Sequence, residues 1–294
     1  MRRAAFLLSL SALPALAQTP LQQQIRTIAA EARGKVSVAC ALPGSALNCD
    51  LNPHAHPPMQ SVFKLPLGVA ILMAVEQRRF TLDQPIRFRP EDRILPETYS
   101  ALQDKYPNAN VDIPLRELLH LAVEQSDNVA ADILLRLAGG PGLVNASIAS
   151  LGILGFHLAD GEDILARDQQ AQYRNWFEPV GAVQLLRLLH DHSPLTPEHS
   201  VLLRGWMQNA VHNVRLKGGL PPGTVVAHRS GTSGSAGGLI PATNDIGLIM
   251  LPDGRQLAIA VFVTDALARQ EVCEKVVSKI GYVAYDAALQ PTAH

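Results

Sequence analysis

The chain has 294 residues, of which 47% are hydrophobic and 17% charged, and its formal net charge is −1. That length can bury a large core, as one big domain or two interlocked ones. Acids and bases are interspersed, so there is no electrostatic footprint for nucleic acid or for an anionic membrane surface, and a neutral or amphipathic small molecule is the expected partner.

In chain order, residues 1–17 read as an export signal. Arg2 and Arg3 give a positive start, Ala4 to Leu13 form an apolar run, and Ala15-Leu16-Ala17 supplies small residues at the cleavage positions. The mature chain is expected to start near Gln18 as a secreted, periplasmic protein. No later stretch reaches about 18 unbroken apolar residues, so no membrane anchor is expected after cleavage. Leu21, Ile25, Ile28 and Ala32 recur at helical spacing, and Lys35 to Leu42 with Leu47 to Leu51 read as a strand pair. Three cysteines in an oxidising compartment allow one bridge. If Gly44-Ser45 is a two-residue turn, residue 43 faces 46 and Cys40 faces Cys49, in a closely spaced non-hydrogen-bonded pair that suits a disulfide. Pro43 lacks the amide that would close such a turn tightly, which leaves a looser loop, or three free thiols, as alternatives.

From Phe63 to about His212 the pattern is mostly helical: Leu65 to Glu76, Leu115 to Glu124, Val129 to Leu137, Val180 to Leu189, and Pro197 to Met207 with Thr196 as its N-cap. Thr224 to Arg229, Asp245 to Leu251 and Leu257 to Val263 then read as strands, the last two joined at Pro252-Asp253-Gly254, and a helix follows from about Arg269 to Leu289. No repeat or linker divides the chain. The pattern predicts an α+β fold in one catalytic domain over 18–294. An α/β lobe, about 18–60 and 213–294, holds an antiparallel five-stranded sheet flanked by helices; an all-helical lobe covers about 61–212. The cleft between lobes is the expected small-molecule site.

Three motifs carry chemistry. Ser61-Val62-Phe63-Lys64 opens an apolar helix, so Ser61 and Lys64 share one face and their side chains can meet; taken alone, the bland alternative is a helix cap with a surface lysine. A hydroxyl beside an amine is an activated nucleophile, provided that burial or a nearby cation keeps the lysine partly neutral. Ser126-Asp127-Asn128 lies in a break between helices; it is either a cap for the helix at Val129 or a second hydroxyl and an amide aimed into the cleft. His228-Arg229-Ser230-Gly231-Thr232 ends a strand whose edge can pair with a peptide-like substrate, while Arg229 and Ser230 bind an anion; the bland alternative is a glycine-rich turn.

With these motifs in this order, over essentially the whole mature chain, the sequence resembles the penicillin-recognising serine enzymes and among them the class A serine β-lactamases. The resemblance implies the serine β-lactamase or penicillin-binding transpeptidase-like fold and hydrolysis of the β-lactam ring of antibiotics through a serine acyl-enzyme. It implies Ser61 as nucleophile, Lys64 as proton acceptor, Ser126 as relay to the leaving nitrogen, Asn128 as substrate binder, and an oxyanion hole from the amides of Ser61 and Thr232. Glu162-Asp163-Ile164-Leu165-Ala166 matches the family loop Glu-x-x-Leu-Asn, which implies Glu162 as the deacylation base, with Asp160 and Asp163 as rivals. Two positions depart from the family: Ala166 replaces the loop asparagine, and Arg229 stands where lysine is most common. Gln172-Tyr173-Arg174-Asn175-Trp176 is similar to the extended-spectrum branch, which also implies Arg215 as a carboxylate binder and Tyr99 as a cleft wall.

His54-x-His56, His190-x-His192 and His228 invite a zinc reading, which is set aside because the spacings do not supply three ligands in a defined geometry. No metal or organic cofactor is expected, and the chain is expected to act as a monomer on β-lactam substrates. The competing functions are a D-alanyl-D-alanine peptidase, against which Glu162 argues, and a penicillin-sensing receptor domain that stays acylated, which would need a membrane span.

Overall fold

The computed structural model describes residues 19–235 and 237–290; the export signal expected at 1–17 lies outside them. Helix α1 (Pro20–Ala30) starts with Thr19 and Gln22 in a reciprocal capping box and Pro20 in the first turn, which satisfies amides that have no intrahelical partner. Strand β1 (Lys35–Ala41) follows, and a tight turn over Gln60–Phe63 leads into α2 (Lys64–Glu76). The middle of the chain holds β2 (Pro85–Phe88), α3 (Ala101–Lys105), β3 (Val111–Pro114), α4 (Leu115–Val123), α5 (Asn128–Ala138), α6 (Pro141–Ser150), β4 (Phe156–His157) and α7 (Glu162–Arg167). It ends with β5 (Trp176–Phe177), α8 (Pro179–Asp191) and α9 (Pro197–Gln208), the last capped by Thr196 on the His199 amide as expected. Strands β6 (Val226–Thr232), β7 (Ile240–Met250) and β8 (Gln256–Ala266) and helix α10 (Gln270–Leu289) complete the chain.

The main sheet is antiparallel in the order β1-β8-β7-β6. Its centre is buried on both faces, and the alternation in β8 shows how. Leu257, Ile259, Val261 and Val263 meet α1 and α10, while Ala258, Ala260 and Phe262 point to the helical body. Each fully buried Val, Ile, Leu or Phe contributes about 1.5–3 kcal/mol. Helix α8 lies against β1, β7 and β8 on that second face. Helix α2 is apolar all round and buried over nearly its whole length, as expected for the central rod of a helical body.

The α+β fold stands, with one correction: the main sheet has four strands, not five. Leu47 to Leu51 adds only an isolated bridge, in which Val38 and Leu51 exchange both backbone hydrogen bonds at 2.7 and 3.1 Å. The turn is centred on Pro43-Gly44, with Ser45 N donating to Leu42 O at 3.1 Å and Gly44 at φ 71. Proline followed by a left-handed glycine suits a type II turn, one residue earlier than Gly44-Ser45. Asn48 Oδ1 then accepts from Asp50 N at 2.8 Å and Gln22 Nε2 donates to Asp50 O at 3.2 Å, so side chains satisfy the backbone groups that Asp50 turns away from β1. Cys40 and Cys49 are nonetheless bridged, with Cα atoms 5.5 Å apart. Two residues along from the doubly bonded Val38–Leu51 pair, they occupy a hydrogen-bonding type of position, which has this wider spacing, and not the closer kind expected. Cys273 is free and buried.

The pairing β2–β3 and the helices α3 and α6 were not legible as elements, because their runs are short or lack periodicity.

The bridge closes a loop with a sequence separation of 9. The chain-entropy relation gives such a loop about 2–3 kcal/mol. The double variant Cys40→Ser/Cys49→Ser should therefore melt several degrees lower than the parent in non-reducing buffer, and the parent should fall to meet it when a reductant is added; coincident melting curves without reductant would leave the bridge no stabilising role.

Candidate active site

Ser61 sits in the turn before α2 and Lys64 three residues later, so the two side chains fall on one face. Lys64 is fully buried. Its Nζ lies 3.1 Å from Ser61 Oγ and 2.8 Å from Ser126 O, bonds Asn128 Oδ1, and makes an ion-pair contact of 2.8 Å with Glu162 Oε1. An ammonium has three protons and the first three partners use them, so Glu162 is held more by charge than by a directed bond. Burial pushes the Lys64 amine below its ordinary range; Glu162 opposes that shift and the Arg229 cation adds to it.

Of the second motif, only the middle residue is a cap. Asp127 is fully buried and accepts from Ala130 N at 2.9 Å, Ser100 Oγ at 2.8 Å and Leu102 N at 2.9 Å. This fixes the break between α4 and α5 and leaves Ser126 and Asn128 to the cleft. Ser126 has φ 64, a left-handed conformation that a residue with a side chain adopts at a cost. Lys64, bonded to its carbonyl, helps to hold it there.

The third motif runs along β6. Gly231 is required by a close approach: a Cβ there would lie 2.4 Å from Met59 O. Asn244 on β7 ties the same segment, through Nδ2 to Pro58 O at 2.8 Å. Arg229 is fully buried behind Ser61, with Nε on Ser61 O at 3.0 Å and a terminal nitrogen on Ser126 Oγ. Burial pushes its guanidinium down to about 10, so it stays protonated at neutral pH. Arg215 is also buried. It donates to Gly231 O at 3.0 Å, Asn244 O at 2.9 Å, Thr232 Oγ1 at 2.6 Å and Glu274 at 3.2 Å, and so stands behind Thr232 and not at the cleft surface. His228 is buried against Asp245 at 2.9 Å.

Glu162 is buried as the first residue of α7. Its position depends on two residues to which the sequence assigned no role. Asp132 on α5 accepts from Glu162 N at 2.7 Å and Asp163 N at 2.8 Å, capping α7 from another helix. Asn175 closes the neck of the loop, accepting from Ala159 N at 2.8 Å and Asp160 N at 3.0 Å and donating to Asp160 O at 2.9 Å. A carboxylate inside the apolar run Val129-Ala130-Ala131-Asp132-Ile133-Leu134 was the one available signal for Asp132. The rivals are engaged elsewhere: Asp160 pairs with Arg174 at 2.7 Å and Asp163 with Arg167 at 2.8 Å.

The cleft has two halves, of about 250 and 450 Å³, that share Ser61, Asn128 and Thr232. Glu162, Ala166 and Gln172 line the first; Ser126, Ser230 and the exposed Tyr99 line the second. Gln60 Nε2 donates to Gln172 Oε1 at 2.6 Å, which places amide groups in the first half although position 166 has none.

A protein-family model described as the β-lactamase enzyme family matches residues 20–288. The extended-spectrum β-lactamase PER-1 of Pseudomonas aeruginosa is 36% identical, over 97% of this chain and 92% of that protein. β-Lactamase VEB-1 of Pseudomonas aeruginosa is 31% identical, over 90% and 89%. Among solved structures, the TLA-3 extended-spectrum β-lactamase is 34% identical with a TM-score of 0.88, covering 92% of this chain and 98% of that one. A class A β-lactamase from Bacteroides cellulosilyticus DSM 14838 is 30% identical with a TM-score of 0.84, covering 91% and 96%.

The loop that carries Glu162 has its own titrating support. The Asp132 residue keeps some exposed surface, but both carboxylate oxygens are covered by backbone amides. Burial, then the Glu162 charge, push its carboxyl up from 3.8 to about 7. A raised folded-state value means that the folded chain binds this proton more tightly, so the contribution is fully present below about pH 4 and is lost as pH rises through 7. Urea unfolding at pH 5 and pH 8 should show the parent losing roughly 1–3 kcal/mol more across that interval than Asp132→Asn. Parallel losses in the two proteins would mean that Asp132 is not the titrating group.

Proposed function

Because the chain belongs to the β-lactamase enzyme family, in its class A extended-spectrum group, and is a hydrolase that opens the β-lactam ring and confers resistance to these antibiotics, we propose that it works through an acyl-enzyme on Ser61. The observation that carries this reading is the meeting of Ser61 Oγ, Ser126, Asn128 and Glu162 around the one buried amine of Lys64.

In acylation, Lys64 in its neutral form takes the Ser61 proton over 3.1 Å as the oxygen attacks the strained amide. The 2.8 Å contact with Glu162 gives the lysine a carboxylate with which to exchange its own proton. The backbone amides of Ser61 and Thr232 bind the developing oxyanion. Ser126 Oγ accepts from Arg229, so its own proton is left for the departing nitrogen, and the fixed positive charge favours that transfer. Glu162 then draws a proton from a water that attacks the ester, which frees the enzyme.

Substrate recognition follows the same logic of a hydroxyl in front and a cation behind. Thr232 Oγ1 accepts from Arg215, so the Thr232 hydroxyl directs its proton outward to a substrate carboxylate. Ser230 supplies a second hydroxyl, Arg229 and Arg215 supply the field, and Asn128 binds the substrate amide. Tyr99 forms one wall and Gly231 lets β6 run close to the nucleophile.

Residues 1–17 act as the signal for export to the periplasm, and the remaining chain acts as a monomer with lobes at about 18–60 with 213–294 and 61–212. The Cys40–Cys49 bridge supports an oxidising compartment.

Ser61→Ala should give no covalent mass adduct with penicillin. Glu162→Ala should form the adduct and keep it, with turnover of a chromogenic cephalosporin reduced roughly 10²–10⁴-fold. If the glutamate variant turns over like the parent, deacylation belongs to another group.

A further inference from the structure

A second cavity, of about 610 Å³, lies outside the catalytic cleft and is larger than either half of it. Its size falls within the range of roughly 300–1,000 Å³ typical of small-molecule sites. Three prolines of the loop after β1, Pro53, Pro57 and Pro58, and the ring of Tyr173 give it flat apolar walls. Lys35, His54 and His56 stand at its polar side.

The donors of this cavity are not all spent. The one carboxylate in its lining, Asp265, is already met by Lys35 Nζ at 3.2 Å and by the Tyr173 hydroxyl at 2.6 Å. The Lys35 side chain is 80% exposed and uses one of its three donors on Asp265, so it has N–H groups to offer. The two imidazoles are engaged by the oxygens of Glu178, at 2.9 and 3.2 Å. The ammonium of Lys35 thus keeps free N–H groups beside apolar walls. That combination fits a flat apolar body carrying one anionic group.

The same walls reach the catalytic centre. Pro58 bridges Trp176, and Met59 N donates to Asn175 O at 3.1 Å, so the segment that ends in Ser61 is paired with the end of the loop that begins with Glu162. Tyr173 adjoins Gln172, which lines the catalytic cleft and is bonded to Gln60. His56 stacks on Trp176 at 3.7 Å. A molecule between the prolines and Tyr173 would press on both catalytic segments from behind.

We propose that this cavity is a second binding site, for an aromatic carboxylate or sulfonate of two or three rings, and that its occupancy alters turnover at Ser61. The prolines and Tyr173 hold the rings, and Lys35 holds the anion.

The probe is 8-anilinonaphthalene-1-sulfonate, titrated calorimetrically into the intact enzyme. One molecule should bind per chain. Ala55→Trp, which fills the lining from the loop between the two histidines, should weaken binding at least tenfold. Lys35→Gln, at an exposed position that leaves packing alone, should weaken it about fivefold. With a chromogenic cephalosporin as substrate, the probe should change kcat and leave KM unaltered. Absence of binding, or equal binding to both variants and the parent, would overturn the site. Competition with the cephalosporin would move the probe into the catalytic cleft and also overturn it, and binding without any change in kcat would overturn the coupling.

Discussion

A lysine amine with no exposed surface is the constraint on which the rest of this structure depends. An unpaired buried ammonium is costly enough that it would lose its proton instead, so Lys64 must be surrounded by acceptors. Those acceptors come from the turn before α2, from the α4–α5 break, from the start of α5 and from the start of α7. Three separate stretches of chain are thus fixed to one atom. Glu162 draws the amine toward its charged form while burial and Arg229 draw it toward neutrality, and this balance suits a group that must both take and return a proton.

The second feature is a set of side chains that hold catalytic groups without joining them. Asp127 fixes the break that presents Ser126 and Asn128, Asp132 fixes the start of α7, Asn175 closes the loop neck, and Asn244 ties β7 to the segment before Ser61. Each spends its polar atoms on backbone groups, which restricts positions more tightly than pairing between flexible side chains would. The two buried arginines belong to this set. By donating to Ser126 and Thr232 they leave each hydroxyl with one proton to give, and so convert two neutral side chains into directed donors. From the sequence these arginines are expected to bind an anion; in the structure each donates to a hydroxyl.

The sheet and the helical body meet at this same point. β6 runs against the Met59–Ser61 segment so closely that only glycine fits at 231, and Ser61 is therefore gripped between a strand edge and the start of a buried helix. The apolar cavity behind the prolines lies on the far side of that segment. Whatever shifts Pro58 or Tyr173 is one or two residues from groups in the cleft.

The sequence by itself determined the elements whose pattern is local. The alternation of Leu257 to Val263, the capped helix after Thr196, the apolar rod after Ser61 and the Cys40–Cys49 pairing were legible because periodicity, caps and register follow from neighbours in the chain. The reactive residues were legible as motifs for the same reason: three or four consecutive residues carry each. What only the tertiary structure decided was everything that depends on distance between motifs. The fifth strand is reduced to the one bridge Val38–Leu51, beyond a turn that closes at Pro43-Gly44 and not at Gly44-Ser45, and the alternation of Leu47 to Leu51 sets neither of these. Asp132 and Asn175 were invisible as site residues because a carboxylate in one helix caps another only when packing brings the two together. Arg229 and Arg215 were legible as anion-binding charges but not as buried ones, since a guanidinium announces its charge in the sequence but not the partners on which that charge is spent.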